Sequence, residues 1–520
     1  MYFRSIDGQN NLMKKIPDKY YMYLSAFSAV LTALSQTTYT WYLSLFCLSP
    51  LFLSLFYQPR ISFMKSVTVF MLTYHGIMCG FLMTLYDYLD LPAAVMSIIC
   101  LIAAAALAAL QSAVMTAAVY PSVAADIKSR AVRIIVFSVC FSLGQYFLEI
   151  IPYLSFPWAR LENALAYQPV LLQISALLGG GAAGAVILLF NGMFACLLDA
   201  LFHKNVRKTL KNSAALLVCF SALTVCGAAY MISKDTEKTI NVTAVQGPHE
   251  GLEKNSQSAE EAAVEYSHIL SGLTDDTDLV LLPETAVSDE LTKRLTDILS
   301  QSTDSKTSIV TGCIYEQDGK RYNCMSPIGE SGSRHLKQVL VPFGEFIPFA
   351  DVDGFSSLTA SDKGDCITVG GHRFAASICI ESIYSSLLSG QIADGGEMIL
   401  ISTNDSWFKN SFAREVQFRH SIIRAVEYDR SIVRSGNCGI SAVIDRNGRI
   451  IAAEYGKGAA AVTASAELSH TRTPYSVIGN IFQLPALLFV IWYYTVWLTE
   501  KLLDTAKIRK RYFSRKIFSE

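Results

Sequence analysis

The chain has 520 residues, 52% of them hydrophobic and only 17% charged, with a mean hydropathy of +0.34. A soluble globular chain carries about 25% charged residues, so the deficit points to membrane segments. The net charge of −1 gives no bulk electrostatic reason to expect nucleic acid as a partner.

Long apolar runs cover residues 20–37, 40–57, 66–87, 92–120, 132–153, 170–202 and 212–232. Most reach the ~20 residues a helix needs to cross a ~30 Å hydrocarbon core. The first two are short and separated mainly by Thr37, Thr38 and Thr40, and read as a tight hairpin or as one broken segment. The run 170–202 has a glycine-rich centre (Gly179, Gly180, Gly181, Gly184) suited to close helix packing. A last apolar run, 476–499, follows a long polar stretch. Eight spans are expected: seven in a transmembrane domain, residues 1–232, and one C-terminal helix, 476–499.

Basic residues test that count. Lys14, Lys15 and Lys19 precede the first span. Arg60 and Lys65 follow the second, Lys128, Arg130 and Arg133 the fourth, and Lys204, Arg207, Lys208 and Lys211 the sixth. The tail 500–520 carries Lys507, Arg509, Lys510, Arg511, Arg515 and Lys516. The alternate loops hold Asp87, Asp90 and Pro92, or only Arg160. With eight spans every basic loop falls on one side, so both termini are expected in the cytoplasm and residues 238–470 outside it. The basic start followed by an uncleaved apolar run reads as a first span rather than a signal peptide.

Residues 238–470 alternate strand and helix patterns. Thr239–Val245, Asp278–Leu282, Ser308–Tyr315, Arg373–Ile380 and Met398–Ser402 read as buried strands. Ala259–Leu273, Leu291–Leu299 and Ser411–Tyr428 read as helices. Ser441–Asp445 and Ile450–Glu454 read as a hairpin joined by Arg446-Asn447-Gly448. That alternation means an α/β layer fold.

Three reactive positions lie just past buried strands: Glu284 after DLVLLP, Cys379 in FAASICIES, and Asn404-Asp405 after MILIST. Sites in α/β folds gather at carboxyl ends of strands. Lys337 precedes the Gly344-Glu345 turn. Of the 12 cysteines, seven lie before residue 227 in apolar stretches. Cys313, Cys324, Cys366, Cys379 and Cys438 lie in the polar half, with no CxxC pair or Cys/His cluster suggesting zinc, so no metal is expected. A thiol attacks as thiolate and needs a base or positive charge beside it. The scattered histidines offer no Cys-His motif, so Glu284 is the candidate base, its pKa raised by burial. Lys337 would stabilise the thiolate and an oxyanion.

The segments Leu-Pro-Glu284, Lys337 and Ser-Ile-Cys379-Ile-Glu381 resemble the nitrilase superfamily, whose members carry Glu, Lys and Cys after successive strands. More narrowly, and over nearly the full length, the chain resembles bacterial apolipoprotein N-acyltransferases. The resemblance runs through Phe156-Pro-Trp158, Gln173 and the glycine-rich span. It continues through Leu-Val-Pro-Phe343-Gly-Glu345-Phe-Ile-Pro and Thr403-Asn-Asp405-Ser-Trp407-Phe, then through Arg424-Ala-Val-Glu427, Arg430, Arg434 and Asn437-Cys-Gly-Ile-Ser441. It implies an α-β-β-α sandwich on a multi-span helical bundle, in a bacterial (inner) membrane protein whose catalytic domain is periplasmic. It implies that Cys379 forms a thioester with a fatty acyl group, that Glu284 is general base and that Lys337 stabilises the oxyanion. Glu345 would orient Lys337 or assist proton transfer, and Glu381 would support the site. Trp407 and Phe408 look like lining for an acyl or lipid pocket, with Phe343 and Asn404 as further substrate-binding candidates. The implied partners are a phospholipid donor and a diacylglyceryl-modified apolipoprotein acceptor, with no cofactor, no nucleic acid and a monomeric protein.

Three departures stand out: Ile380 where Tyr is common, Lys409 where Gly is usual, and a short Gln246-Gly247-Pro248 stretch after the first strand. They bear on donor and acceptor choice more than on reaction type. A membrane-anchored amidase hydrolysing a C–N bond would need the same triad but no lipid access, and the eight-span region with its Phe156-Pro-Trp158 loop favours the acyltransferase. A transporter or receptor with an inactive enzyme-like domain would need more interior ionisable residues than His75 and Glu149.

Overall fold

The computed structural model describes residues 17–517 except 88–91, 125–126, 128, 152–154, 236, 248, 250–257, 274–275, 288–291, 302–305, 330–332, 343, 347–356, 410 and 457. Lys14, Lys15, Asp90, Lys128, Pro248 and Phe343, named above, lie outside the described residues.

Twelve strands are described in the polar region. They are β1 (Thr239–Gln246), β2 (Leu279–Leu281), β3 (Ser308–Gln317), β4 (Lys320–Pro327), β5 (His335–Leu336), β6 (Ile367–Val369), β7 (His372–Ile378), β8 (Met398–Asn404), β9 (Ile432–Asn437), β10 (Ser441–Ile444), β11 (Ile450–Glu454) and β12 (Ala460–Glu467). They form two six-stranded sheets, ordered β12-β1-β2-β3-β4-β5 and β11-β10-β9-β8-β7-β6. The parallel centres, β1-β2-β3 and β7-β8-β9, come from the continuous apolar runs. Alternation within those runs explains the layers. Val242, Ala244, Leu279 and Leu281 meet Phe374, Ala376, Ile378 and Leu400 between the sheets. Val245, Val280 and Leu282 turn outward onto the helices Ala259–Leu270 and Lys293–Ser300. Ile399 and Ile401 turn the other way, onto the helix Ala413–Tyr428. The result is an α-β-β-α sandwich.

Among the described residues, seven helices are long and apolar enough to cross a membrane: Thr38–Tyr57, Arg60–Leu85, Ala93–Val123, Arg130–Ile150, Gly180–Phe202, Val206–Ile232 and Pro474–Thr499. The expected run 20–37 forms a helix of 17 residues, Asp18–Leu34, packed against its neighbours but below that length. The run 170–202 is not one span. It breaks at Gly179, whose φ is +80° and where a Cβ would sit 2.6 Å from the Tyr475 ring. Short helices Pro169–Leu172 and Ile174–Leu178 precede the break, and the long helix begins at Gly180. The final helix does not stop at residue 499; its backbone runs from Leu484 to Ile517.

The sandwich sits directly on the helical bundle. One apolar core runs from Phe52, Phe70 and Phe141 in the bundle through Ile422 and Val426 to Ile399 and Ile432 in the second sheet. The helix Ala413–Tyr428 therefore has protein on both sides, which buries Arg419 and Arg424 fully. Buried charges need partners. Arg419 donates to the Asn163 carbonyl at 2.9 Å, and Arg424 pairs with Glu427 at 2.7 Å. The Gly180 N–H donates to Glu427 at 2.6 Å, joining a bundle helix to the sandwich helix. Glu149 pairs with Arg160 at 3.0 Å and accepts the Ser385 N–H at 2.8 Å, and Arg160 reaches Glu162 at 2.5 Å. The interior charge at Glu149 thus belongs to the seam between bundle and sandwich.

Candidate active site

Glu284 follows β2, two residues beyond Leu282. The chain crosses so closely there that a Cβ on Gly312 of neighbouring β3 would lie 2.7 Å from the Glu284 Cα. This is a position only glycine fits. Glu284 is 5% exposed, and its carboxylate is held by donors from three elements. Its Oε1 accepts from Lys337 Nζ at 2.8 Å and Asn323 Nδ2 at 2.7 Å, and its Oε2 accepts the Asn404 N–H at 2.8 Å.

Lys337 follows β5 and is 1% exposed. Its N–H donates to the Asn323 carbonyl at 2.9 Å, and its Nζ also donates to Glu345 Oε1 at 2.8 Å. Asn323 Nδ2 donates to the same Glu345 oxygen at 2.9 Å, and Glu345 Oε2 accepts the Val341 N–H at 2.8 Å. Burial alone would push the Lys337 ammonium down. The charges of Glu284 and Glu345 overcome it and hold its pKa well above the usual lysine value. Lys337 is therefore a fixed positive charge.

Cys379 follows β7 and opens the 3₁₀ turn Cys379–Ile383 with φ +53°, a left-handed conformation unusual for a side-chain-bearing residue. Such strain concentrates at functional turns, where it aims a side chain. The residue is 8% exposed, and Gln417 Nε2 donates to its Sγ at 3.6 Å. Burial first, then the charge of Glu284, pushes the thiol up to about 12, against lowering effects of Lys337 and Thr403. At rest this sulfur is a thiol rather than a thiolate.

Glu381 ties the thiol's turn to the lysine's strand. Its Oε2 accepts the Ile378 N–H at 2.7 Å and His335 Nε2 at 3.0 Å, and its Oε1 accepts the Gln338 N–H at 2.5 Å. Those donors flank Cys379 and Lys337. His335 and the backbone N–H groups outweigh the effect of burial and hold this carboxylate below its usual range.

The structure thus gathers Glu284, Lys337, Cys379, Glu345 and Glu381. Asn404 is 9% exposed and meets Glu284 through its backbone N–H. Its side chain accepts from Ser406 Oγ at 2.7 Å and from Asn437 Nδ2 at 3.2 Å. Phe408 belongs to an aromatic cluster, 5.6 Å from Phe81 and 5.5 Å from Trp158, with Phe156 stacked on Trp158 at 5.5 Å. The Trp407 carbonyl accepts from Thr84 at 3.3 Å. The loop after β8 is thereby pinned to the sandwich-side ends of the apolar helices. Lys409 closes that loop at φ +47° and ψ −129°, so the position where glycine is usual does carry a glycine-favouring backbone. Among the described residues no group of three His, Cys, Asp or Glu could hold a metal ion.

Sequence reasoning passed over Asn323 and Gln417. Asn323 had a signal: Asp318-Gly319, with φ +52° and +73°, is the two-residue turn of the β3–β4 hairpin. Gln417 had none, because its approach to Cys379 is purely tertiary.

Residues 28–193 match the family described as apolipoprotein N-acyltransferase N-terminal domain, and residues 241–473 match carbon-nitrogen hydrolase. A curated apolipoprotein N-acyltransferase of Haemophilus influenzae is 23% identical over 67% of this chain and 71% of that protein. The one from Pseudomonas aeruginosa strain PAO1 is 28% identical over 50% of this chain and 55% of that protein. A crystallised amidase from Nesterenkonia sp. aligns at 13% identity over 47% of this chain and 94% of its own, with a TM-score of 0.36. Sandwich, bundle and matched domains together define a membrane-anchored member of the nitrilase superfamily. Within it, the chain belongs to the apolipoprotein N-acyltransferase family.

Proposed function

We propose that this protein transfers a fatty acyl chain from a membrane phospholipid to the N-terminal amino group of a diacylglyceryl-cysteine on an apolipoprotein, with Cys379 as the acyl carrier. The observation that carries the reading is the meeting of Glu284, Lys337 and Cys379 at strand ends, in a sandwich whose core is continuous with apolar membrane helices.

In the first half-reaction the Cys379 thiol proton passes to Glu284 as Sγ attacks the donor ester carbonyl. The raised thiol pKa requires this coupling, since little free thiolate exists beforehand. The Lys337 ammonium stabilises the oxyanion. Collapse expels the glycerol oxygen of the lysophospholipid, which takes the proton from Glu284 and leaves a thioester on Cys379. In the second, the acceptor's α-amino nitrogen attacks the thioester and loses a proton to Glu284. The sulfur leaves and regains that proton. Glu345 holds Lys337 between two carboxylates, and Glu381 is a positioning residue for Cys379. Trp407 and Phe408 stand where the loop meets the bundle, the side from which a lipid chain would arrive. In this reading the sandwich faces outward from a bacterial inner membrane, with both termini cytoplasmic.

The test is transfer of a labelled acyl chain from phospholipid in mixed micelles to a synthetic diacylglyceryl-cysteine peptide, read by mass. An N-acylated peptide is expected. Release of free fatty acid alone, with unmodified peptide, would mean ester hydrolysis in place of transfer and contradict the proposal.

A further inference from the structure

The β3–β4 hairpin that carries Gly312 and Asn323 also carries two thiols with no part in the acyl-transfer scheme. Cys313 and Cys324 are directly opposed in the antiparallel register. Their sulfurs are 3.2 Å apart, and the residues are 2% and 1% exposed. The Ile309 carbonyl accepts the Ile328 N–H at 2.9 Å, whereas the Val310 and Gly312 carbonyls accept from Leu282 and Val287 on the opposite side. Odd-numbered residues of β3 therefore turn their backbone groups toward β4, and Cys313 and Cys324 occupy a hydrogen-bonded pair. Such pairs have Cα atoms about 5.5 Å apart. That falls inside the range of about 4.4–6.8 Å that a disulfide bridges. The sulfurs lie in the core beneath helices Ala259–Leu270 and Lys293–Ser300, whereas Cys379 belongs to the core between the sheets. Oxidation of the pair therefore leaves the nucleophile untouched.

We propose that Cys313 and Cys324 form a redox site that closes into an intrachain disulfide. Two S–H bonds break and one S–S bond forms. The two protons and two electrons pass to the protein disulfide of a thiol–disulfide exchange catalyst, whose S–S bond breaks to give a dithiol. Closure in the cell rests on the outward placement of the sandwich, because that compartment keeps disulfides oxidised. The bond staples β3 to β4 one residue from Gly312, which backs Glu284, and one from Asn323, which donates to Glu284 and Glu345. Oxidation thus stiffens the hairpin that aligns the candidate base.

The full-length protein, purified in detergent without reductant, is denatured, labelled with a maleimide and mapped by peptide mass. The expected result is that Cys313 and Cys324 resist label, travel as one cross-linked peptide and take label only after dithiothreitol. The same reductant should lower the unfolding midpoint of wild type by several degrees and leave a Cys313→Ser/Cys324→Ser variant unmoved. Full labelling of both thiols even after diamide treatment of the folded protein overturns the proposal. Thiols that label as isolated but close with diamide support the site and count against outward placement instead, which a compartment reporter fused after residue 520 tests separately.

Discussion

Replacing Glu284 with Gln should make Cys379 more reactive toward a small electrophile while abolishing acyl transfer. The thiol is pushed up to about 12, first by burial and then by the Glu284 charge. A group with that pKa is thiolate in about one molecule in ten thousand at pH 8. Gln removes the negative charge and keeps the shape. Its amide oxygen can still accept from Lys337 and Asn323, now 2.8 and 2.7 Å from the carboxylate. The Lys337 charge, which lowers the thiol pKa, then acts with less opposition. A charge at close range moves a pKa by about 1–3 units, so the thiolate fraction at pH 8 should rise about ten- to a thousand-fold. The assay is the rate of iodoacetamide addition to Cys379 from pH 6 to pH 10, followed by peptide mass in wild type and Glu284→Gln. The wild-type rate should climb with pH without reaching a plateau, and the variant should be at least about ten-fold faster at pH 8. A folded variant alkylated no faster than wild type would refute the claim that Glu284 keeps the thiol protonated. Undiminished acyl transfer in the same variant would remove Glu284 from the base role.

Glu381→Ala should destabilise the sandwich by about 3–5 kcal/mol, because buried donors on Ile378, Gln338 and His335 lose a charged acceptor. Chemical denaturation read by tryptophan fluorescence checks this, and a loss below about 1 kcal/mol, the net worth of one ordinary hydrogen bond, would contradict the clamp. Lys409→Gly should stabilise the protein by about 1 kcal/mol, since φ +47° with ψ −129° strains a side-chain-bearing residue. A lower unfolding midpoint for that variant would mean the Lys409 side chain contributes more than its backbone costs.

The parts legible in sequence share one physical cause. β2, β7 and β8 are buried on both faces, so they read as unbroken apolar runs, and each ends at a polar residue that stands out: Glu284, Cys379 and Asn404. β4, β9 and β12 lack that contrast. Asn323 and Arg434 lie inside strands that exist because neighbours pair with them, and Arg434 is tolerated there because Asp405 accepts from it at 3.0 and 2.9 Å. Composition hid the helix Ala413–Tyr428 as a core element: Arg419 and Arg424 pair with Glu415 and Glu427 on the same helix, but the groups that cover them, such as the Asn163 carbonyl, lie far away in sequence. The structure departs from the expected eight spans at the run 20–37, whose helix of 17 residues is not among the seven of membrane length, and it trims the run 170–202 to a span that begins at Gly180, after the +80° φ of Gly179.

The central claim is that Cys379 carries the acyl group, and intact mass after incubation with phospholipid tests it most directly. Wild type should gain one fatty acyl chain, released by neutral hydroxylamine as a thioester is and mapped to Cys379, with lysophospholipid formed in equal amount. Cys379→Ser should show no such hydroxylamine-labile adduct. An unmodified wild type, or an equal labile adduct on Cys379→Ser, would contradict the account.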